Sequence, residues 1–363
     1  MDYYHESLEI NNRNVRIQDI LNDESKPSSE FEFETFSFIK QWMSGQEKFT
    51  FHTSGSTGAS KVILFKRDQL IQSANSTISA LDLSSQDIAL VCLNPKFIAG
   101  KMMLVRSFVH NMKVLAIEPS SNPLDKLNFD QKIDFAAFIP LQLQTMIDTG
   151  AYARLNKIKS IIVGGSPILQ PLLIQIGKHL RTDLHETYGM TETISHIAFK
   201  DISRSEDHFK LLPRIQISTD ERNCLIIKCP YLETPVHTND LVDMASDNTF
   251  RWIGRYDNVI NSGGIKVVPE PIENEIGKIF TSLNINFRFF VAGIPDLTFG
   301  NKVVLFIEGT MKDKEATQIL ERVRNSVPPF HSPRKIIPLN RFKSTKTGKI
   351  NRPETLKSYL NLV

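Results

Sequence analysis

The sequence has little cysteine: only Cys92, Cys224 and Cys229 occur in 363 residues, and no two have C-x-x-C spacing. So small and odd a number excludes a disulfide framework and favours a reducing compartment. The chain also lacks an apolar run of the roughly 18 residues that a membrane helix needs. Its start, Met1 to Glu6, lacks the basic and apolar stretches of a signal peptide. These absences predict a cytoplasmic protein without membrane insertion.

Neither sign of charge dominates, since 43 Lys and Arg oppose 40 Asp and Glu, giving a net charge of +3. That excess is too small to predict a nucleic-acid partner. The segment from Pro328 to Pro353 is an exception, because it is basic and has no acidic residue. A solvated basic surface is the ordinary interpretation, and a nucleic-acid patch is the alternative.

Apolar runs and amphipathic segments alternate between Val62 and Thr187, which predicts β-α units and a largely parallel sheet. From residue 215 to 253, short strands and turns predict an antiparallel or barrel-like subdomain. Residues 1–50 have weak patterns, although Trp42 and the nearby phenylalanines predict that this segment packs on the rest.

The pattern changes again after Asp257, where helices and strands predict a compact α+β unit of about one hundred residues. The sequence thus predicts an α/β protein with two domains. A large domain covers residues 1–256 and includes the barrel-like β subdomain, and a small, mobile α+β domain covers residues 257–363.

A loop rich in glycine and hydroxyl residues precedes the β-α units and ends in lysine; it reads Thr53-Ser54-Gly55-Ser56-Thr57-Gly58-Ala59-Ser60-Lys61. Glycines let the backbone N–H groups approach an anion, and the hydroxyls and the lysine add donors and charge. The loop does not match the Walker pattern G-x-x-x-x-G-K-[ST]. By composition alone, a flexible turn explains it equally well.

A second cluster follows a predicted strand and reads Glu186-Thr187-Tyr188-Gly189-Met190-Thr191-Glu192-Thr193. Open α/β sheets bind ligands at this end of their strands. Tyr188 can stack on a base, Thr191 can bond a phosphate, and Glu192 is a hard oxygen ligand for Mg²⁺. The alternative is a helix start capped by Thr191.

Three further short motifs lie downstream. The first is Thr238-Asn239-Asp240, whose carboxylate can accept both hydroxyls of a ribose, although an Asx-turn explains it equally well. The second is Gly254-Arg255-Tyr256-Asp257-Asn258 with Ser262-Gly263-Gly264-Ile265-Lys266-Val267-Val268-Pro269, for which a hairpin and a Gly-rich turn are the ordinary interpretation. The third is Gly348-Lys349, for which a solvated tail is the ordinary interpretation.

In order and spacing, these motifs resemble those of the adenylate-forming superfamily, which includes acyl-CoA synthetases, luciferases and peptide-synthetase adenylation domains. Thr53–Lys61 resembles its TSGSTGxPK loop, Tyr188–Glu192 its YGxTE motif, and Asp240 its TGD element. The segment 254–269 resembles the hinge block of the family, and Gly348-Lys349 its terminal element. Ser60 replaces a usual proline and Asn239 a usual glycine, and the few residues before residue 53 predict an abridged N-terminal part.

The resemblance implies that ATP, Mg²⁺ and CoA are used in two half-reactions. A carboxylate would attack ATP to give an acyl-adenylate, and CoA would then displace AMP. It assigns Lys349, Thr191 and Glu192 to catalysis, with Glu192 as the metal ligand. It assigns the nucleotide to Thr53, Ser54, Gly55, Ser56, Thr57, Gly58, Lys61, Gly164, Gly165, Ser166, Tyr188, Gly189, Thr191, Asp240 and Arg255. Asp257 would be the hinge, and Gly263 and Gly264 would face CoA.

With its abridged N-terminal part and its segments 98–106 and 188–196, the sequence resembles the o-succinylbenzoate–CoA ligases of menaquinone biosynthesis. That acid keeps one carboxylate unreacted, so a cationic or polar group should bind it. Lys101, Arg106 and His196 are the candidates. A solvated helix face remains an alternative for Arg106, and a merely structural polar contact one for His196.

Three other functions remain open. The protein could adenylate a different acid or pass it to a carrier protein, it could be a nucleotide-binding regulator without catalysis, or it could bind nucleic acid. The expected partners are a small carboxylic acid, ATP and CoA, and the sequence leaves a homodimer open.

Overall fold

The computed structural model describes residues 5–52, 62–344 and 350–361 of the chain. The strands in these residues are β1 Ser7–Ile10, β2 Arg13–Arg16, β3 Lys48–His52, β4 Val62–Lys66, β5 Ile88–Val91, β6 Lys113–Ala116, β7 Phe135–Phe138, β8 Ser160–Val163, β9 Asp183–Gly189, β10 His196–Asp201, β11 Phe209–Leu211, β12 Gln216–Thr219, β13 Cys224–Lys228, β14 Val236–Ser246, β15 Thr249–Arg255, β16 Ile260–Ser262, β17 Ile265–Val267, β18 Phe289–Asp296, β19 Gly300–Glu308 and β20 Ile336–Leu339.

The α-helices in the same residues are α1 Ile17–Leu21, α2 Glu30–Met43, α3 Arg67–Ala80, α4 Ile98–His110, α5 Pro140–Asp148, α6 Tyr152–Leu155, α7 Gln170–His179, α8 Pro269–Ser282, α9 Asp313–Ser326 and α10 Arg352–Leu360. Short 3-10 helices lie at Pro123–Lys126, Thr191–Thr193 and Tyr256–Asn258. No helix in the described part of the chain is both long and apolar enough to cross a bilayer.

One sheet of 13 strands organises the large part of the chain, in the order β12-β13-β14-β15-β11-β10-β9-β8-β7-β5-β6-β1-β2. Its parallel pairs run from β1 through β6, β5, β7 and β8 to β9. From β9 onward every pair is antiparallel. The change of direction therefore falls at β9, which carries the Tyr188 motif.

Both faces of the parallel part are covered, because alternate residues of its buried strands point into separate cores. Ala89 and Val91 of β5 belong to one hydrophobic cluster, whereas Leu90 between them belongs to another. Phe135 and Phe138 of β7 divide in the same way. This packing is the expected consequence of continuous apolar strands with helices on both sides.

The α/β class with a smaller α+β unit at the C-terminus is confirmed. One detail differs, because the segment predicted to be antiparallel or barrel-like is antiparallel and open. In the described residues, its strands β12 to β15 join β11 and extend the main sheet edge to edge. The edge of β15 that would close a barrel is instead hydrogen-bonded to β11.

The first 50 residues carry more structure than their weak pattern predicted. Strand β1 pairs in parallel with β6, and Leu8 and Ile10 are buried in the core. Helix α2 begins after Ser29, whose hydroxyl accepts the Glu32 backbone N–H as a cap. Trp42 is fully buried, which confirms the predicted packing of this segment.

The C-terminal unit has its own five-stranded sheet, β17-β16-β19-β18 with β20 beside β19. Helices α8 and α9 contribute to a separate apolar cluster with this sheet. Two of its contacts with the large part lie at glycines. A Cβ on Gly254 of β15 would lie 2.3 Å from a Glu270 carboxylate oxygen, and one on Gly277 of α8 would lie 3.5 Å from Pro171.

Candidate active site

The predicted catalytic residues Thr191 and Glu192 lie in a 3-10 turn directly after β9, at the carboxyl end of the parallel strands. Both are half-buried. Gly189 precedes the turn where β10 passes close by, and a Cβ there would lie 2.3 Å from the Ser195 carbonyl oxygen. Only glycine fits such an approach. No described cation forms an ion pair with Glu192, so its carboxylate is available to a metal ion.

Gly164, Gly165 and Ser166 follow the neighbouring strand β8 at the same edge of the sheet. A Cβ on Gly164 would lie 2.2 Å from Thr187 Oγ1, and Gly165 has a φ of +89°. Glycine is therefore needed at the first position for space and at the second for backbone conformation. The turn lies against β9, beside the residues predicted to bind the nucleotide.

Asp240 and Arg255 face each other across β14 and β15, where the register pairs them. Arg255 Nη1 donates to Asp240 Oδ1 at 3.2 Å, and the Tyr188 hydroxyl donates to Asp240 Oδ2 at 2.6 Å. Only 8% of the Asp240 side chain is exposed. A carboxylate accepts about four hydrogen bonds, so this one is held in place and can still accept from a ligand.

The electrostatics of this cluster are balanced. Burial raises the pKa of Tyr188 well above its usual value, and the Asp240 charge raises it further. Burial lowers the pKa of Arg255, but Asp240 and Asp257 outweigh that effect and raise it. Tyr188 thus stays a neutral donor and Arg255 stays a cation at any physiological pH.

Asp257, the predicted hinge, is exposed but hydrogen-bonded to the large part of the chain. It accepts from Arg255 Nη2 at 2.9 Å and from Asn239 Nδ2 at 3.0 Å. Asn239 Oδ1 in turn accepts from Arg222 Nη1 at 3.2 Å. The asparagine that replaces the usual glycine therefore adds a contact to Asp257 that glycine cannot make.

Two of the three predicted acid-pocket residues, Arg106 and His196, are brought together through Ser195. Arg106 Nη2 donates to Ser195 Oγ at 2.7 Å, and Ser195 Oγ lies 3.4 Å from His196 Nδ1. His196 Nε2 lies 2.8 Å from Thr77 Oγ1 on α3. Arg106 is only 2% exposed, so the alternative that it lies on a solvated helix face is wrong.

The cluster of Arg106, Ser195 and His196 carries a buried charge without a described counter-ion. Among the described residues no carboxylate pairs with Arg106, and its Nε has no acceptor. Burial lowers the pKa of Arg106 to about 9. Burial, and then the charge of Arg106, lower the pKa of His196 well below its usual value. A neutral imidazole thus lies beside a cation that would gain from an anion.

Lys101, the third candidate, does not join this cluster. It lies five residues before Arg106 on α4, about 140° away around the helix. Its ammonium lies 5.0 Å from the centre of the Phe51 ring of β3, and burial lowers its pKa. The two cations of α4 thus face different neighbours.

The remaining predicted residues divide into two groups. Gly263 and Gly264 join β16 and β17 with φ of +58° and +82°, a two-residue hairpin that favours glycine. The predicted phosphate loop, with Thr53, Ser54, Gly55, Ser56, Thr57, Gly58 and Lys61, and the predicted catalytic Lys349 lie outside the described residues.

The turn after β9 lies between the two clusters in sequence, since Tyr188 before it contacts Asp240 and Ser195 after it contacts Arg106. A family model described as AMP-binding enzyme matches residues 15–219, more than half of the chain. The chain belongs to the AMP-binding enzyme family.

Several relatives of this AMP-binding enzyme are similar over most of its length. A solved acyl-CoA synthetase (AMP-forming)/AMP-acid ligase II-like protein from Dyadobacter fermentans is 37% identical, with 93% of this chain and 97% of that one covered and a TM-score of 0.62. The 2-succinylbenzoate–CoA ligase of Listeria monocytogenes is 23% identical over 89% of this chain and 73% of its own.

A third similarity concerns the fold alone. The o-succinylbenzoate coenzyme A synthetase of Bacillus subtilis, solved with ATP and a magnesium ion, is 20% identical and has a TM-score of 0.72. The match covers 85% of this chain and 69% of the Bacillus subtilis chain.

Sequence reasoning about this AMP-binding enzyme did not predict the contacts that Thr77, Ser195, Asn239 and Glu186 make. Glu186, the first residue of the second motif, is used within the fold, because it accepts the Ile168 N–H at 2.9 Å and pairs with Lys200 at 2.6 Å. Ser195 and Asn239 lie inside or beside recognised motifs. Thr77 lies in the middle of a helix and gives no sequence signal.

Proposed function

We propose that this protein is an ATP-dependent acid–CoA ligase that converts o-succinylbenzoate into o-succinylbenzoyl-CoA through an acyl-adenylate, in menaquinone biosynthesis. The observation that carries the choice of acid is the buried Arg106 with Ser195 and His196, because it would bind a carboxylate that does not react. The names of the relatives support the same acid.

The nucleotide would bind along the β8–β9–β14 edge. Asp240 and Arg255 would hold the ribose, since the Asp240 carboxylate is fixed by donors and retains free lone pairs. Gly164, Gly165, Ser166 and Tyr188 would border the adenine. This turn follows β8 and lies against β9, because a Cβ on Gly164 would meet Thr187.

The phosphates would lie between the turn after β9 and the loop Thr53–Lys61. Thr191 would bond the α-phosphate, and Glu192 would hold Mg²⁺, which it fits as a half-buried carboxylate without a described cation partner. The metal would neutralise phosphate charge. Lys349 would bridge the carboxylate and the α-phosphate, as a cation rather than as a base.

Thioester formation would follow after a rearrangement of the small domain, residues 257–363, about Asp257. The hairpin at Gly263 and Gly264 would then face CoA. Asp257 suits a hinge because it is exposed and directly precedes the C-terminal sheet. Its hydrogen bonds to Arg255 and Asn239 would have to open during the movement.

The experiment is a measurement of AMP release that depends on both CoA and ATP. o-Succinylbenzoate is compared with benzoate and fatty acids. We expect AMP release with o-succinylbenzoate and far less with the others. Activity with another acid, or with a carrier protein instead of CoA, would support a different adenylating ligase, and absence of ATP–pyrophosphate exchange with every acid would contradict any adenylating function.

A further inference from the structure

Thr77 of α3 is the end of a chain of polar groups that leads to Arg106. The chain runs from Thr77 Oγ1 through the imidazole of His196 to Ser195 Oγ and the guanidinium, with separations of 2.8, 3.4 and 2.7 Å. Thr77 itself is fully buried, and its hydroxyl also lies 3.3 Å from the Ser73 carbonyl oxygen in its own helix. Two elements that are distant in sequence therefore meet at His196.

The hydrogens of this chain can be assigned by counting donors. A guanidinium only donates, so Ser195 Oγ accepts from Arg106. If the neutral imidazole carries its hydrogen on Nε2, it donates to Thr77, Thr77 donates to the Ser73 carbonyl, and Ser195 donates to Nδ1. The hydroxyl hydrogens of Thr77 and Ser195 and the imidazole hydrogen then each have an acceptor. The other tautomer leaves the Ser195 hydroxyl without one among the described residues.

We propose that Thr77 is a positioning residue for acid selectivity: it fixes the tautomer and orientation of His196, and thereby directs Ser195 and Arg106 toward the unreacted carboxylate of the acid. This inference rests on the proposed function. Thr77 does not touch the acid; it acts through His196. A hydroxyl at this position is the essential feature, and a methyl group in its place would leave the imidazole N–H buried and unpaired.

Burial explains why so indirect a residue would matter. Polar groups within a protein interior have few alternative partners, so a fully connected network holds one geometry, whereas a broken network lets its members rotate. Ser195 is the only described hydrogen-bond partner of Arg106 besides the Met103 sulfur at 3.9 Å. The direction of the guanidinium therefore depends on the serine and on what holds the serine.

The test compares two acids in Thr77→Val, which keeps the shape of threonine and removes its hydroxyl. One acid is o-succinylbenzoate and the other is 4-oxo-4-phenylbutanoate, which is the same molecule without its ring carboxylate. We expect the KM for o-succinylbenzoate to rise about tenfold, or about 1.4 kcal/mol, with kcat little changed. The KM for 4-oxo-4-phenylbutanoate should stay within about twofold of wild type.

Two variants serve as controls. Thr77→Ser keeps the hydroxyl and should restore the wild-type ratio of the two KM values. Thr35→Val removes an equally buried threonine hydroxyl, which donates only to the Phe31 carbonyl of α2, and should leave the ratio unchanged. An equal rise of both KM values in Thr77→Val, or no rise, would overturn the inference, because a general loss of stability affects both acids.

A double-mutant cycle keeps the inference testable even if Thr77→Val folds poorly. Ser195→Ala breaks the next link and should produce the same selective defect. The two changes together should cost no more than the larger one alone, since both release the same guanidinium. Additive defects would contradict a shared chain. If wild-type protein does not distinguish the two acids, the proposed acid is wrong, which is a separate outcome.

Discussion

The predicted nucleotide side and the predicted acid side of the candidate site differ in how their charges are paired. On the nucleotide side, the negative Asp240 and the positive Arg255 lie opposite each other on paired strands, and a tyrosine completes the contact. On the acid side, Arg106 is buried with serine, histidine and threonine and has no described carboxylate. The charges of the first cluster are paired, whereas the described residues supply no anion to the second.

The difference in charge pairing indicates which kind of ligand each cluster can bind. A balanced, prealigned carboxylate suits a neutral group with two hydroxyls, such as a ribose. An unbalanced buried cation suits a second carboxylate, and it costs stability until one binds. Variants on the predicted nucleotide side should therefore lower the activity with every acid equally, whereas variants on the predicted acid side should lower the activity with one acid selectively.

The largest expected effect lies in the part of the site that serves all acids. Lys349→Ala should reduce adenylation by about 10²–10³-fold or more for every acid, because it removes the charge that brings two anions together. Thioester formation from supplied acyl-AMP should be retained. Pyrophosphate exchange and CoA-dependent AMP release, measured separately, check this. Equal loss of both steps would contradict the role assigned to Lys349.

Asp240→Ala should have the next largest effect. It leaves Arg255 and the Tyr188 hydroxyl without their shared acceptor and removes the proposed ribose contact. Each charge-assisted hydrogen bond contributes about 1.5–3 kcal/mol. We therefore expect the KM for ATP to rise at least tenfold, by the same factor with both test acids. A defect confined to one acid would show that the two clusters are not separate.

Arg106→Leu should affect one acid and not the other, in contrast to Asp240→Ala. It should lower kcat/KM for o-succinylbenzoate by about tenfold or more and leave the KM for ATP and the reaction of 4-oxo-4-phenylbutanoate nearly unchanged. The melting temperature should stay equal or rise, because an apolar side chain removes a buried charge that has no described counter-ion. Arg106→Lys, which keeps the charge, separates charge from geometry. A clear loss of stability in Arg106→Leu would indicate a structural role instead.

The smallest expected effect concerns pH and His196. Its folded-state pKa is well below 6.5 because of burial, and the charges of Arg106 and His185 lower it further. The unfolded chain takes up this proton near pH 6.5 and the folded chain does not, so this contribution to stability is present above pH 6.5 and is lost as pH falls.

We therefore expect His196→Gln to show a smaller drop in melting temperature between pH 7.5 and pH 5.5 than wild type. The exposed His237, changed to glutamine, should leave that drop unchanged. If both variants behave alike, the buried imidazole is not the group that titrates.

Much of this molecule could be predicted from local patterns. The alternation from Val62 to Thr187 identified the strands of the parallel sheet because buried strands are short and apolar, and the glycines near residues 164 and 263 lie where backbone space or positive φ requires them. Motif order identified Asp240 and Arg255, which the strand register then paired.

The missed features depend on contacts between distant segments. Strand β1 is short and weakly patterned, and it becomes a strand because the edge of β6 is available to pair with it. The antiparallel segment could not be distinguished from a barrel, because closure depends on which strand edges meet. Lys101 and Arg106 were predicted together because the segment 98–106 resembles the related ligases, although their separation along α4 places them on different faces of the helix.

Strand β9 has equal numbers of strands on either side in the order of the large sheet. Its backbone is hydrogen-bonded to β8 on one side and to β10 on the other. Such a strand exchanges its amide hydrogens only when a large part of the protein opens. The residues proposed to bind the substrates thus follow a strand that is held on both sides, and we expect movements during the reaction to come from the segments around it.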